Sequence, residues 1–93
     1  MKFRGKVIIY SEKRRYPISV GYRPHLSLKG SENLLGIVFT EVADSLLNQY
    51  VDCTINTSYE NVDYSVLILG NTYDVREGRT VVGEITLLEL IED

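Results

Sequence analysis

The sequence predicts an all-β domain: a small, closed, antiparallel β-barrel of six or seven strands spanning residues 1–93. Three observations lead there. β-Branched and aromatic residues recur in short runs separated by turn residues, and no long apolar stripe of helical period accompanies them. The 93 residues make one domain with no room for a second core. Nor is there length for the crossover helices that parallel strands need. Short strands in so small a chain bury most by closing on themselves, because closure removes exposed edges and lets every inward face fill one core.

The elements follow in order. From Phe3 to Tyr10, Phe3, Gly5, Val7 and Ile9 share one face and Arg4 and Lys6 the other, the pattern of a half-buried strand. Ser11 to Arg15 is a charged loop closed by Pro17. Pro24 biases Arg23 towards extended geometry and cannot sit inside a central strand, so a second strand begins at His25 and runs to Leu28. Lys29 to Asn33 carries Gly30, Ser31 and Asn33 and reads as a turn. Leu35, Ile37 and Phe39, alternating with Gly36, Val38 and Thr40, form a third strand.

Thr40 to Asn48 fits either a short helical turn capped by Thr40 or a loop whose leucines plug the barrel end. Strand pattern returns at Tyr50, with Val51, Cys53 and Ile55 inward and Asp52, Thr54 and Asn56 outward. After a polar stretch from Thr57 to Asp63, Val62 to Leu69 is apolar on both faces and reads as a central strand. Val66 is then an inward position, and Val66→Asp is expected to unfold the domain. Gly70-Asn71 breaks the run. Tyr73–Arg76 and Arg79–Leu90 are joined by Glu77-Gly78 as a two-residue hairpin, and Gly83 marks a bulge or a bend at a barrel corner.

Composition excludes several function classes. Hydrophobic residues at 44% and charged residues at 25% are ordinary for a globular domain. A net charge of −3 argues against strong nonspecific binding to nucleic acid, though not against a local basic patch. A lone cysteine, Cys53, allows no intrachain disulfide and fits a reducing compartment. The four apolar residues Val7 to Tyr10 are too few for a signal peptide's apolar core or a membrane span, so the protein is expected in the cytoplasm, away from membranes.

Little in the chain promises chemistry. His25 is the only histidine, so no His pair and no Cys-His cluster exists, and it reads as a surface residue or a binding contact rather than a catalytic one. Cys53 reads as a small core residue, since a nucleophile needs exposure and a base. No serine sits in a Gly-x-Ser-x-Gly elbow, and no Gly-x-x-x-x-Gly-Lys-[Ser/Thr] loop exists to cradle a phosphate. No cofactor, metal or nucleotide is expected, and no enzyme. Arg14, Arg15, Arg23, Arg76 and Arg79 are half of the basic residues. They are either solvated charges balanced by Glu12, Asp74 and Glu77, or a patch suited to an acidic protein surface or an RNA backbone. Seven tyrosines add a weak interface signal, half of them expected simply to pack on the barrel.

Two segments carry a resemblance: Gly21-Tyr22-Arg23-Pro24-His25-Leu26, and Arg76-Glu77-Gly78-Arg79-Thr80-Val81-Val82-Gly83 about fifty residues on. Together with the opening Phe-x-x-x-Val strand they resemble, in order and spacing, the third domain of elongation factor Tu, a small antiparallel β-barrel. The likeness implies a binding module that docks on a protein partner. That partner belongs to the translation machinery or is a toxin, as for a small bacterial regulatory or immunity protein. The alternative is binding to a tRNA stem. The implied binding residues are Tyr22, Arg23, His25, Arg76, Glu77, Gly78 and Arg79. The chain departs from the family at His25, where Gln is usual. It has one hairpin glycine instead of two, and the family's GTPase domain and second barrel are missing from the sequence.

Overall fold

The computed structural model describes residues 1–44 and 46–93. It is all-β, with no helix among the described residues. Six strands, β1 (Lys2–Ile9), β2 (His25–Ser27), β3 (Leu35–Val42), β4 (Val51–Thr57), β5 (Thr72–Glu77) and β6 (Thr80–Glu92), close into an antiparallel barrel. Around the barrel they run β1-β4-β3-β2-β5-β6, and β6 pairs back onto β1. The barrel predicted from the alternation is therefore the fold, with the lower of the two expected strand counts.

Period-two alternation fills the interior. Phe3, Val7 and Ile9 of β1, Ile37 and Phe39 of β3, Cys53 and Ile55 of β4, Tyr73 and Val75 of β5, and Ile85 and Leu87 of β6 are all buried together. β2 contributes Leu26 and ends at Ser27, so Leu28, expected inside the strand, is exposed beyond it. The β5–β6 turn is displaced by one residue from the expected pair. Glu77 still pairs with Thr80, and the two turn residues are Gly78 and Arg79. Gly78 has φ +62° and Arg79 does not share the positive φ, as in a turn with glycine at its first central position. Val75 faces Gly83 and Arg76 faces Val81, leaving Val82 as an extra residue. Of the bulge or corner bend expected at Gly83, this is the bulge, one residue before it. A Cβ on Gly83 would sit 2.0 Å from the Ile8 carbonyl oxygen, so only glycine lets β1 and β6 approach there.

The connections divide by end. Loops 10–24 and 43–50 and the β5–β6 turn lie at one end, while loops 28–34 and 58–71 and the outer ends of β1 and β6 lie at the other. Each end is plugged by its longest loop: Ile18 enters the core from residues 10–24, and Tyr64 and Leu67 enter from residues 58–71. Val62 to Leu69 is thus not a central strand but a series of turns, and Val66, expected inward, is 37% exposed. A run with apolar residues on both faces fits a plug as well as a strand. Here only Tyr64 and Leu67, three apart, turn inward. Hydroxyls hold the plug: Tyr64 donates to the Gly36 carbonyl at 2.6 Å and accepts from the Ser58 and Tyr59 amides at 3.2 Å each. Tyr73 accepts from the Ile68 amide at 2.7 Å and donates to the Val66 carbonyl.

The stretch from Thr40 to Asn48 forms no helix among its described residues; Ser45 lies outside them. Thr40 to Val42 complete β3, Leu46 is exposed, and Leu47 packs against the core, so the plug alternative holds for one leucine. Asn48 adopts φ +63° and fastens this loop to β1, donating its amide to the Ile9 carbonyl at 2.7 Å.

Candidate functional site

The end formed by residues 10–24 and the β5–β6 turn brings together most of the expected binding residues. Gly21, at φ +95°, turns the chain so that residues 21–24 run beside β3: the Gly21 amide donates to the Phe39 carbonyl at 2.8 Å and the Phe39 amide to the Tyr22 carbonyl at 2.9 Å. That places the Tyr22 ring on Phe39, centroids 5.7 Å apart. The Tyr22 hydroxyl donates to Glu77 Oε2, and the same oxygen accepts from Arg14 Nη1. The Arg14 guanidinium lies 4.6 Å from the Tyr22 ring centroid, within cation–π range. Burial, followed by the bond to Glu77, pushes the Tyr22 hydroxyl well above its ordinary pKa, so it stays a proton donor. Glu77 is therefore the fastener that ties the long loop to the hairpin.

Around this fastener the rim carries five of the ten basic residues, Lys13, Arg14, Arg15, Arg23 and Arg79. Arg15, Arg23 and Arg79 are exposed and form no ion pair among the described residues. Tyr16 and Val20, 67% and 64% exposed, stand in the same loop. The expected site divides at this point. Tyr22, Arg23, Glu77, Gly78 and Arg79 gather at the rim. His25 and Arg76 face each other across β2 and β5 on the wall below, and Arg76 turns towards the opposite end to donate to the Ser31 carbonyl at 3.2 Å. Arg76 is thus committed to the structure. Sequence reasoning left Arg14, Tyr16 and Val20 out of the site; the mixed run Arg14-Arg15-Tyr16 was the available signal, and only the contact with Glu77 shows its role.

A second charged network crosses the wall. Lys29 Nζ lies 3.2 Å from Asp74 Oδ1 and 2.7 Å from Glu84 Oε2, and the Tyr50 hydroxyl donates to Glu84 Oε1 at 2.7 Å. The bonds from Lys29 and Tyr50 hold the Glu84 carboxyl below its ordinary pKa. These groups satisfy one another and join loops from both ends of the barrel. Cys53 is buried, and burial pushes its thiol up to about 12, far from the range of a reactive thiolate. Among the described residues no three His, Cys, Asp or Glu side chains gather as a metal site requires, and no helix is long and apolar enough to cross a membrane.

No protein-family model matches this chain, and comparison with curated proteins finds no match.

Proposed function

We propose that the protein is a non-enzymatic docking domain of the cytoplasm whose basic rim seats on an acidic patch of a protein partner. One observation carries the reading: Arg15, Arg23 and Arg79 stand exposed and without ion pairs among the described residues, at the end of the barrel that also exposes Tyr16 and Val20. Guanidiniums around a small apolar pair are the composition of a protein-binding hot spot, where the apolar contacts exclude water and the forked donors meet carboxylates. The Glu77 fastener supports the reading by tying the loop that carries Arg15, Tyr16 and Val20 to the hairpin that carries Arg79. The resemblance of the Gly21–Leu26 and Arg76–Gly83 segments to the third domain of elongation factor Tu directs the search for partners. It points to the translation machinery first, and then to a toxin neutralised by a small bacterial immunity-type protein.

Capture from native lysate on the immobilised protein, followed by mass spectrometry, supplies the partner, and its affinity is then measured against variants. Arg23→Ala and Arg79→Ala are each expected to lose about 2 kcal/mol or more, while Lys2→Ala at the other end stays within about 0.5 kcal/mol. Equal small losses at all three positions would move the contact elsewhere. Retention of tRNA instead of protein, with log affinity falling by about 0.7 to 0.9 per phosphate contact for each unit of log salt, would replace this reading with tRNA-stem binding.

A further inference from the structure

The opposite end of the barrel carries a different chemistry. β6 is the longest strand, and it outruns its neighbour: pairing with β5 stops at Thr86–Thr72, whereas pairing with β1 continues to Glu92. On the β5 side, Leu87 exchanges backbone bonds with Gly70 and Asn71, and among the described residues no bond from that side follows it. The tail from Leu88 to Glu92 is therefore bonded along one edge only. Two register shifts against β1 leave Leu88 and Ile91 as extra residues, which ends the strict alternation seen from Gly83 to Leu87. Leu88, Leu90 and Ile91 are all exposed as a result, and Ile68 and Leu69 are exposed in the loop whose next residues meet Leu87. No lysine and no proline lies between Gly83 and Asp93 to blunt the edge.

From this free edge we infer a second docking site, one that takes an extended segment of a partner, alternating aliphatic and basic side chains, as an added strand. Its unpaired amides and carbonyls match the backbone of another extended chain, and its apolar side chains match aliphatic ones. Charge selects the occupant. Glu89, Glu92 and Asp93 line the tail, and only Glu89 is paired, with Arg4 at 3.1 Å. A second copy laid antiparallel on this edge would bring two such acidic tails together, which is opposed, whereas lysines or arginines in the added strand would face them favourably.

The probe is a peptide of about twelve residues alternating valine with lysine, titrated at low salt into the isotope-labelled full chain. The expected result is saturable binding with amide shifts and slowed hydrogen exchange confined to Leu88–Glu92 and the Ile68–Leu69 turn, and no binding of the matching valine–glutamate peptide. Glu92→Lys with Asp93→Lys should weaken the valine–lysine peptide about tenfold without changing the melting temperature, because both residues are exposed and unpaired. Equal binding of the two peptides, shifts away from the tail, or no binding at all would overturn the inference. So would a concentration-dependent dimer that protects the same amides with no peptide present. None of these outcomes touches the basic rim, so this site and the rim stand or fall separately.

Discussion

At the basic end, Ile18 enters the core from the β1–β2 loop, and the loop is fastened from outside, where the partly exposed Glu77 carboxylate takes bonds from Arg14 and Tyr22. At the apolar end, Tyr64 and Leu67 enter from the β4–β5 loop, and the fasteners are neutral and further in: the Tyr64 hydroxyl makes a buried bond to the Gly36 carbonyl, and the Tyr73 hydroxyl a half-buried one to the Ile68 amide. The same task, closing a barrel, is thus done with charge at one end and with neutral buried hydrogen bonds at the other. A charged fastener near solvent is weak and screened by salt. A buried neutral one is costly to break, because it leaves backbone groups without partners. The loop at the basic end is thus held by a tie that salt can weaken, while the apolar end keeps the architecture.

The largest expected effect is at the apolar end. Tyr64→Phe keeps the ring but leaves the Tyr59 amide without its acceptor and takes from the buried Gly36 carbonyl one of its two donors, the other being the Ser58 amide, and should cost about 1.5 kcal/mol of the roughly 5–15 kcal/mol typical of a small domain. Urea unfolding measures it, and the loss should be the same in dilute buffer and at roughly 1 M salt, where the Debye length is about 3 Å. A loss that fades with salt would erase the contrast between the two ends.

Glu77→Ala comes next. It removes the acceptor shared by Arg14 and Tyr22, but Glu77 is 39% exposed and Arg14 26%, so the cost should be no more than about 1 kcal/mol in dilute buffer and should disappear at high salt. Faster hydrogen exchange in residues 10–24, with the rest of the barrel unchanged, would confirm that the fastener is local.

The smallest effect is expected at Val66→Asp, which reading Val62–Leu69 as a central strand would make unfolding. Val66 lies exposed in the plug loop, so the substitution should shift stability by no more than about 0.5 kcal/mol. Unfolding by this change would restore Val66 to the core and remove the described plug.

Comparing Val66 with Val7 shows how far the amino-acid pattern reaches. Both are valines in apolar runs. Val7 alternates with Lys6 and the buried Phe3, Gly5 and Ile9, and its inward face could be read directly. Val66 has apolar neighbours at most nearby positions, so the pattern held no information about which side turns inward. At the candidate site, Tyr22, Arg23 and the hairpin residues were expected to bind, but the opposite orientation of Arg76 and the use of Arg14 as a tie were not. The amino-acid pattern by itself determined the alternating strands β1, β3, β4, β5 and β6, a glycine turn at Gly78, an irregularity at Gly83 and the barrel class, because pleat, φ and turn geometry act between residues a few positions apart. Only the tertiary structure decided which loop fills which end, where charge collects, and which edge of β6 stays open. Those follow from closure, which brings residues such as Arg14 and Glu77 together across the length of the chain, where no local periodicity records the pairing.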